Sequence, residues 1–460
     1  MLDPLRVAII GSGPSGLYAA GHLLETPAGT FADGRLSLRV RRPVEVDVID
    51  RLPTPWGLIR GGVAPDHPDK KKMSRIYDAI AHRPGFRFIG NVRVGETITP
   101  AQLSSWYDAV IYAVGADGER RLGIPGEALP GSHSARSFVG WYNGHPDFSA
   151  LQFDLRTPRA VIVGTGNVSM DVARILLKPV SELRKTDIAA HALEALSRSE
   201  IREVVVLGRR GPQDAAFNFP ELEELGELPD TAIVVEDQAA AQSVLEATED
   251  GDLKMRILRT LITRHRSGSR RIVLRFNTLP IAVLGTQTVE GLRVASRLAN
   301  DSSNEVLEAG LLLAAVGYRG QALPGLPFDE ANGVVPSRDG RVMQGDAPLP
   351  GAYVTGWIRR GPRGIIGSNK KCARDSVASL LADADAGLLP RAGTLDGREV
   401  LVKLRAKFPA TSYADWQRID QAERRAGAEA DRPRVKLTTI DALMNAARVA
   451  DTRAVETVAP

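Results

Sequence analysis

The sequence is poor in cysteine and has no long apolar run, and both absences narrow the possible functions. Cys372 is the only cysteine among 460 residues, which excludes an internal disulfide and a cysteine-cluster metal site. Disulfide reductases that need a cysteine pair beside a flavin are excluded for the same reason. No apolar run approaches the roughly 18 residues of a membrane-spanning helix. We therefore expect no membrane span and no metal, and interpret Cys372 as a packing residue.

We also expect no cleavable targeting segment, and the sequence has no clustered basic region. The apolar stretch Leu5–Ile10 leads directly into a glycine motif, which leaves no room for a signal peptide and favours a cytoplasmic protein. Lys and Arg number 59 against 55 for Asp and Glu, a formal net charge of +4, but the basic residues are dispersed. Nucleic acid is therefore not expected as a partner, whereas an acidic protein is compatible with this charge.

Two segments repeat the order of strand, glycine-rich turn and helix. The first begins with Leu5–Ile10 and the second with Ala160–Val163, and an apolar strand segment follows each. The runs Tyr107–Gly115 (YDAVIYAVG) and Leu311–Gly317 (LLLAAVG) also resemble each other. This duplication predicts an α/β protein with two Rossmann-like dinucleotide-binding domains.

The first glycine motif, GSGPSG, begins at Gly11. Gly11 permits a tight turn, Gly13 lets the backbone approach a pyrophosphate, and Gly16 lets helix and strand pack closely. Asp50, at the end of the strand segment VDVID, is predicted to bind a ribose, or alternatively only to begin a turn. It follows Gly16 by 34 residues instead of about 20, and we assign the excess to an inserted loop or hairpin at Ala28–Arg42.

The second motif has only two of the three glycines, because a serine takes the third position. Its residues are Gly164, Thr165, Gly166, Asn167, Val168, Ser169, Met170 and Asp171. After the next strand comes GRRGP, where an acidic residue would favour NAD and arginines accommodate the 2′-phosphate of NADP. Arg209 and Arg210 therefore predict NADP, with two solvated turn arginines as the alternative.

Further along the chain the pattern predicts short strands and then helices. Arg271–Phe276 and Ile281–Leu284 are predicted strands separated by Pro280. From Leu401 onward helical segments alternate with an arginine-rich turn, and Thr452–Pro460 is predicted to fray.

Several longer strings carry a more specific signal than the glycine motifs. They are LPTPWGLIRGGVAPDHP from Leu52, FVGWYNGHP from Phe138, VGTGNVSMDVARILL from Val163, GRRGP from Gly208 and GWIRRGPRGIIGSNKK from Gly356. With these strings the chain, from about residue 5 to residue 440, resembles the adrenodoxin reductase family of ferredoxin–NADP reductases, especially its actinobacterial members. The resemblance implies an NADP domain inserted into a discontinuous FAD domain, with boundaries expected at residues 1–117, 118–327 and 328–460.

The resemblance also implies the contacts of each cofactor, carried over by matching position. For FAD they are Ser15, Asp50, Leu58, Val94, Trp357, Gly364, Ile365 and Ile366. For NADP they are Arg120, Asn167 to Asp171, Arg209, Arg210, Glu221 and Gly364. Relatives commonly have Glu where this chain has Asp50, so a shorter or water-mediated ribose contact is expected. We interpret Trp357 as lying beside the flavin ring, with simple core packing as the alternative.

His67 and Glu224 are candidates for a role near the nicotinamide, because the family places a histidine in the DHP segment and an acidic residue after GRRGP. Hydride transfer needs no general base, so any proton role would be secondary, and a structural salt bridge is the alternative. Gly364 is expected to begin a helix whose N–H groups face the flavin and to let the nicotinamide approach closely. His145 is interpreted as a turn residue.

The resemblance implies that NADPH passes hydride to FAD and that electrons then leave singly to an acidic iron–sulfur protein, a ferredoxin. A cytochrome P450 is one consumer that such a ferredoxin could serve. Candidate docking charges are Arg359, Arg360, Arg363, Lys370, Lys371 and Lys70 to Lys72. Two alternatives stay open at this point, a flavin-dependent monooxygenase and a redox-sensing protein that binds both nucleotides without turnover.

Overall fold

The computed structural model describes most of the chain. The described residues are 3–25, 42–248, 251–264, 268–298, 304–364, 367–390 and 397–448. Apart from Arg42, the predicted insertion at Ala28–Arg42 lies outside these residues, as do Ile365, Ile366 and the predicted frayed tail from Thr452.

The strands fall into two parallel sheets and two small antiparallel ones. In chain order they are β1 (Leu5–Ile10), β2 (Val44–Ile49), β3 (Phe86–Ile89), β4 (Ala109–Tyr112), β5 (Gly118–Glu119), β6 (Ser132–Ser134), β7 (Arg159–Val163), β8 (Glu203–Leu207), β9 (Thr231–Val235), β10 (Arg270–Arg275), β11 (Thr278–Leu284), β12 (Gly291–Ser296), β13 (Asn304–Glu308), β14 (Leu311–Ala314), β15 (Tyr318–Arg319), β16 (Ser337–Arg338), β17 (Arg341–Gln344) and β18 (Ala347–Val354).

Helices cover the parallel sheets. In chain order they are α1 (Pro14–Leu23), α2 (Leu58–Gly61), α3 (Pro68–Lys71), α4 (Ser74–Ala81), α5 (Pro100–Trp106), α6 (Ala135–Tyr142), α7 (Asn167–Leu177), α8 (Val180–Leu183), α9 (Ala190–Ser197), α10 (Phe219–Leu225), α11 (Gln238–Leu245), α12 (Leu253–Thr263), α13 (Trp357–Arg360), α14 (Ser368–Asp385), α15 (Gly397–Arg405), α16 (Tyr413–Glu429) and α17 (Ile440–Arg448), with a short 3₁₀ turn at Pro212–Asp214.

The first sheet has the order β16-β17-β18-β4-β1-β2-β3, and its strands come from both ends of the chain. The strands from β18 to β3 are parallel, while β16 and β17 form an antiparallel edge. Because core clusters cover both faces, the central strand β1 is apolar along nearly its whole length. The carboxyl end of β1, between β2 and β4, is the kind of crevice where α/β proteins bind nucleotides.

The second sheet is wholly parallel, with the order β6-β14-β7-β8-β10-β9. Helices cover one face, and the antiparallel sheet β11-β12-β13 packs on the other through apolar residues such as Val283 and Leu292. β5 pairs with β15 where the chain leaves the first sheet and later returns to it. The molecule therefore has two Rossmann-like sheets with the second inserted in the chain of the first, while the predicted domain boundaries remain our proposal.

The structure differs from the sequence prediction at Pro280. The break between the two predicted strands falls at Asn277, whose φ of +50° makes the turn. Strand β11 then runs through Pro280, and the pairing register shifts between Pro280 and Ala282. A strand tolerates proline at such an irregularity because no ladder hydrogen bond from its nitrogen is needed there.

Candidate functional site

The first glycine loop lies between β1 and α1, against the end of β4. Gly11 has a φ of +107°, and a Cβ there would lie 2.5 Å from the carbonyl oxygen of Ala113. A Cβ on Gly16 would lie 2.0 Å from the Gly11 carbonyl oxygen, so only glycine fits. A Cβ on Gly13 would meet nothing within 4 Å, which leaves open space beside the start of the helix. Backbone N–H groups at such a helix start are suited to a phosphate.

Asp50 braces this loop. Its Oδ2 accepts hydrogen bonds from the Ser12 backbone N–H at 2.8 Å and from the Ser12 hydroxyl at 2.5 Å. Its Oδ1 accepts from the Leu52 N–H at 2.9 Å, so the carboxylate also makes the turn that was the alternative interpretation. Burial raises the pKa of Asp50, although these donors oppose the shift.

The PTPWGL string packs directly on the first glycine loop. Trp56 has a φ of +84° and donates its backbone N–H to the Ser12 carbonyl at 3.2 Å. A Cβ on Gly57 would lie 2.7 Å from the Gly13 Cα. The Trp56 ring is buried against Tyr77 and Trp416, and this packing stabilises the unusual backbone.

A cleft of about 710 Å³ extends from this loop along the carboxyl ends of the first sheet. Its lining includes seven of the residues predicted to bind FAD, namely Gly11, Gly13, Ser15, Asp50, Leu58, Val94 and Trp357. Two buried donors of residues on its wall, Trp357 Nε1 and Asn143 Nδ2, have no hydrogen-bond partner among the described residues. Buried polar groups are almost always paired, so unpaired donors in a cleft fit a bound polar ligand.

Trp357 begins the short helix α13 and stacks on Tyr318, with ring centroids 5.7 Å apart. Gly364 follows, with a φ of +86°, and a Cβ there would lie 2.5 Å from the Ser368 hydroxyl oxygen. The helix expected to begin at Gly364 begins instead at Ser368. The positive φ and the neighbouring Ser368 hydroxyl therefore require glycine at position 364, independently of whether a nicotinamide approaches it.

The second glycine loop repeats the geometry of the first. A Cβ on Gly164 would lie 2.4 Å from the carbonyl oxygen of Ala315, at the end of β14, as Gly11 lies against Ala113. Gly166 again faces open space at the start of a helix. Ser169 and Met170 are buried in α7, and Val168 packs partly on the core. Asn167 accepts a hydrogen bond from the Asn218 N–H at 2.8 Å.

Arg209 and Arg210 lie exposed just beyond β8, as predicted for residues that follow the second strand of a nucleotide site. Arg210 donates to the Asp214 carbonyl at 3.2 Å, and its Nη1 lies 3.7 Å from the Asp214 carboxylate. Within the part of the chain that the structure describes, the Arg209 guanidinium makes no hydrogen bond or ion pair, while its backbone carbonyl accepts from Arg297 Nη1 at 3.4 Å. Three guanidinium groups therefore belong to one exposed corner of the second sheet.

His67 and Glu224 meet between the two sheets. His67 Nε2 lies 2.6 Å from Glu224 Oε2, and Arg174 Nη1 lies 2.9 Å from the same oxygen. Burial favours a higher pKa for Glu224, but the hydrogen bond from His67 and the charge of Arg174 outweigh it and lower the pKa. Asp171 accepts from Arg174 at 2.9 Å and lies 3.9 Å from His67 Nδ1, so it belongs to this cluster. Burial raises the pKa of Asp171.

Lys70 adds a second positive charge to the cluster. Its Nζ lies 2.9 Å from Glu221 Oε1, 3.3 Å from His67 Nδ1 and 4.0 Å from Glu224 Oε1. Among the described residues, His67, Asp171 and Glu224 have side-chain atoms spaced closely enough for a metal ion. Arg174 and Lys70 already neutralise these carboxylates, so the cluster is unfavourable for a cation. Arg120 lies apart from it, exposed beside Gly317.

Known proteins share this architecture over its full length. Residues 5–206 match the family described as pyridine nucleotide-disulphide oxidoreductase. NADPH-ferredoxin reductase FprA of Mycobacterium tuberculosis is 44% identical over 96% of this chain and 99% of its own. The mitochondrial NADPH:adrenodoxin oxidoreductase of Arabidopsis thaliana is 39% identical over 96% of this chain and 95% of its own. The solved structure of M. tuberculosis FprA in complex with NADPH has a TM-score of 0.87 at 42% identity, covering 97% of this chain and 100% of that one.

The chain belongs to the adrenodoxin reductase family of ferredoxin–NADP reductases. It is accordingly a flavoprotein oxidoreductase whose cofactors are FAD and NADP(H). The open glycine loops and the unpaired donors of the first cleft fit these dinucleotides. Within the described residues, the reductase has no helix both long and apolar enough to cross a bilayer.

Several residues of the reductase that were predicted as docking charges instead form hydrogen bonds within the protein. Lys71 is mostly buried and donates to Asp187 at 2.5 Å. Arg359 donates to Ser376 at 3.2 Å and Arg360 to Asn369 at 2.8 Å, so both guanidinium groups hold the segment around α13. Of the predicted docking charges near α13, the exposed ones are Arg363, Lys370 and Lys371.

Asp66 and Arg174 form the most buried ion pair at the junction of the two sheets. Arg174, only 2% exposed, donates to Asp66 from Nε at 2.7 Å and from Nη2 at 2.9 Å, and Lys178 lies 3.0 Å from the same carboxylate. Burial favours a higher pKa for Asp66, but Arg174 and Lys178 outweigh it and hold the pKa well below its usual range.

Replacing this carboxylate should destabilise the reductase in a pH-dependent way. We expect Asp66→Asn to lower the free energy of unfolding at pH 7 by about 3–5 kcal/mol, because Arg174 loses a buried partner. Since the folded pKa is depressed, the stabilisation is complete above the unfolded pKa of about 4 and is lost as the pH falls below it. Urea unfolding of both proteins at several pH values checks this. A difference that does not shrink towards low pH would contradict the electrostatic explanation.

Sequence reasoning missed the residues that connect the two sheets. Arg174 and Asp66 lie in the strings that carry the resemblance, but nothing in their spacing indicated that they pair. Tyr318, stacked on Trp357, and Asn143, on the cleft wall, were likewise not predicted. Their roles depend on contacts between segments more than 30 residues apart in sequence.

Proposed function

We propose that the protein passes electrons from NADPH through FAD to a ferredoxin-type iron–sulfur protein. The observation that carries this proposal is the pair of glycine loops at the carboxyl ends of two separate sheets. After the next strand, the first unit has the acidic Asp50 and the second has the exposed pair Arg209 and Arg210. When bound, FAD supplies an acceptor for the two-electron hydride of NADPH and a carrier from which two partner molecules take one electron each. The protein contributes binding, orientation and charge.

In the first cleft, we propose that the open space at Gly13 receives the FAD pyrophosphate at the start of α1. Asp50 fixes the loop and stands beside the adenosine ribose, and Leu58 and Val94 supply apolar wall. Trp357 directs its unpaired Nε1 towards the cofactor. We assign Gly364, with the adjoining Ile365 and Ile366, to the flavin end, where the glycine admits the nicotinamide.

In the second site, we propose that Gly164, Gly166 and the start of α7 bind the NADP pyrophosphate. Asn167, Val168, Ser169 and Met170 place this helix, and Arg209 and Arg210 bind the 2′-phosphate. Arg120 and Glu221 stand at the edge of the same site. This assignment rests on the exposed, largely uncompensated charge at Arg209 and on the match to the family positions.

We propose that His67, Glu224 and Asp171 orient the nicotinamide side of the site and do not transfer protons. The Glu224 carboxylate is already shared by His67 and Arg174, and its lowered pKa makes it a poor proton donor at neutral pH. The hydrogen leaves NADPH as a hydride, together with two electrons, so the transfer requires no general base.

The variant Glu224→Gln distinguishes an orienting role of Glu224 from a role in proton transfer. We expect the rate of flavin reduction by NADPH to fall by less than about tenfold, with an unchanged pH profile, because the amide still contacts His67. A general acid or base would cost roughly 100- to 10,000-fold. Rapid-mixing absorbance at saturating NADPH measures the rate. Glu223→Gln, an exposed change on the same helix, is the matched control, and a flattened pH profile in Glu224→Gln alone would contradict the orienting role.

The acceptor is proposed from the names of the relatives, NADPH-ferredoxin reductase and NADPH:adrenodoxin oxidoreductase. An acidic iron–sulfur protein suits the net charge of +4. We propose that exposed basic residues such as Arg363, Lys370 and Lys371 contribute to its docking. A cytochrome P450 is a fitting final consumer of the electrons, and the cytoplasm is the proposed location.

Salt should slow the reaction with ferredoxin. Raising the ionic strength from about 0.01 to 0.1 M shortens the screening length from roughly 30 to 10 Å, which weakens attraction between the two proteins. We expect ferredoxin-dependent turnover to decrease across this range and direct ferricyanide reduction to change less. Parallel assays with the two acceptors check this, and an equal response of both would contradict electrostatic docking.

A further inference from the structure

Asn143 lies on the wall of the first cleft, immediately after helix α6, and its side chain is 1% exposed. Its amide has one satisfied end and one unsatisfied end. Oδ1 accepts hydrogen bonds from Lys436 Nζ at 3.2 Å and from Lys71 Nζ at 3.4 Å. Nδ2 is buried and has no hydrogen-bond partner in the described part of the chain.

The two lysines determine which way the Asn143 amide points. A lysine ammonium carries three donors and no acceptor, so two ammonium groups can face only the carbonyl oxygen of the amide. If the amide were turned over, Nδ2 would confront two donors and Oδ1 would lose both bonds. The donor end must therefore point away from the lysines, and an unpaired buried donor costs stability unless something accepts its hydrogen bond.

The lysines are themselves held by contacts from two separate parts of the chain. Asp187 lies 2.5 Å from Lys71 and 3.2 Å from Lys436, and the Arg60 carbonyl accepts from Lys436 at 3.3 Å. Lys436 is nearly fully buried in the segment between α16 and α17. The orientation of the amide is therefore set before any ligand binds, which lowers the entropic cost of binding.

We propose that Asn143 binds FAD by donating a hydrogen bond from Nδ2 to an acceptor atom of the cofactor, and that Lys71 and Lys436 position its amide for this purpose. The inference rests on the assignment of the first cleft to FAD. It adds a cofactor contact to the reductase and gives the C-terminal segment around Lys436 a role in the site.

Asn143→Asp distinguishes cofactor binding from a purely structural role. The carboxylate keeps both acceptors for the lysines, so the fold should survive, but it removes the Nδ2 donor. We expect the holoenzyme of this variant to release FAD at least about fivefold faster, as measured by the rise of flavin fluorescence after dilution. The far-ultraviolet circular dichroism spectrum should be unchanged, because the carboxylate keeps the contacts with both lysines and the fold survives.

Two further variants complete the test. Lys436→Met removes one positioning donor and should also speed FAD release, by less than Asn143→Asp does. Asn304→Asp makes the same chemical change at an exposed strand position and should release FAD at the wild-type rate. Wild-type release from Asn143→Asp, with an unchanged flavin absorption spectrum, would overturn the proposal. A wild-type protein that retains no FAD would overturn the assignment of the cleft, and the proposal with it.

Discussion

Arg209→Ala and Arg210→Ala should each raise the KM for NADPH at least about tenfold and leave the KM for NADH nearly unchanged. Hydrogen bonds to a charged group contribute about 1.5–3 kcal/mol each, which corresponds to roughly 10- to 150-fold in binding. NADH lacks the 2′-phosphate, so it has no such bond to lose. Flavin reduction at saturating NADPH should persist, because the arginines lie at the phosphate and take no part in hydride transfer.

The structure suggests that Arg209→Ala will have the larger effect. Among the described residues the Arg209 guanidinium has no bonded partner, whereas the Arg210 guanidinium contacts the Asp214 carbonyl at 3.2 Å and the Asp214 carboxylate at 3.7 Å. Steady-state constants for both coenzymes in both variants make the comparison. Arg198→Ala is a suitable control, since Arg198 is another exposed arginine of the inserted region and pairs with Glu194. Equal losses for NADPH and NADH would refute the assignment of these arginines to the 2′-phosphate.

Gly13→Ala should weaken FAD binding without unfolding the protein. Gly13 has a φ of −75° and a ψ of −178°, which any residue adopts, and its Cβ would meet no protein atom within 4 Å. The added methyl would occupy the space assigned to the pyrophosphate. Overpacking of about 1–3 kcal/mol lowers affinity by roughly 5- to 150-fold.

Gly166→Ala makes the same change in the second loop, where φ is −94° and the space is likewise open. It should raise the KM for NADPH and leave FAD retained, so each glycine variant is the matched control of the other. FAD content after gel filtration and NADPH titration of the flavin signal measure the two effects. If Gly13→Ala kept FAD with wild-type affinity, the pyrophosphate would not lie at this loop.

The sequence predicted the parts of the site that depend on local backbone geometry. Gly11 and Gly164 are required where each loop passes the neighbouring strand end, at Ala113 and at Ala315. Both requirements appear in the sequence as a strand followed by glycines, and β1 has the predicted bounds Leu5–Ile10. The duplication predicted two Rossmann-like units, and the family resemblance implied that the second is inserted in the chain of the first.

The contacts between distant segments could not be predicted in the same way. Asp50 was predicted to bind a ribose, but its carboxylate also accepts hydrogen bonds from the Ser12 N–H and hydroxyl, and no sequence pattern indicated this contact. Lys71 was predicted as a candidate docking charge, yet it is mostly buried and its ammonium donates to Asp187 and Asn143. Such pairings are decided by the packing of the inserted sheet on the first.

Cytochrome c reduction by NADPH, measured with and without an added ferredoxin, tests the central claim most directly. The account predicts that reduction is slow with the reductase alone, increases strongly with ferredoxin until ferredoxin saturates, and depends on bound FAD. Reduction that is indifferent to every ferredoxin tried, together with NADPH oxidation that requires an organic substrate, would contradict the account and favour a flavin-dependent monooxygenase. Flavin reduction that stops after one turnover with every acceptor would instead favour a redox-sensing protein.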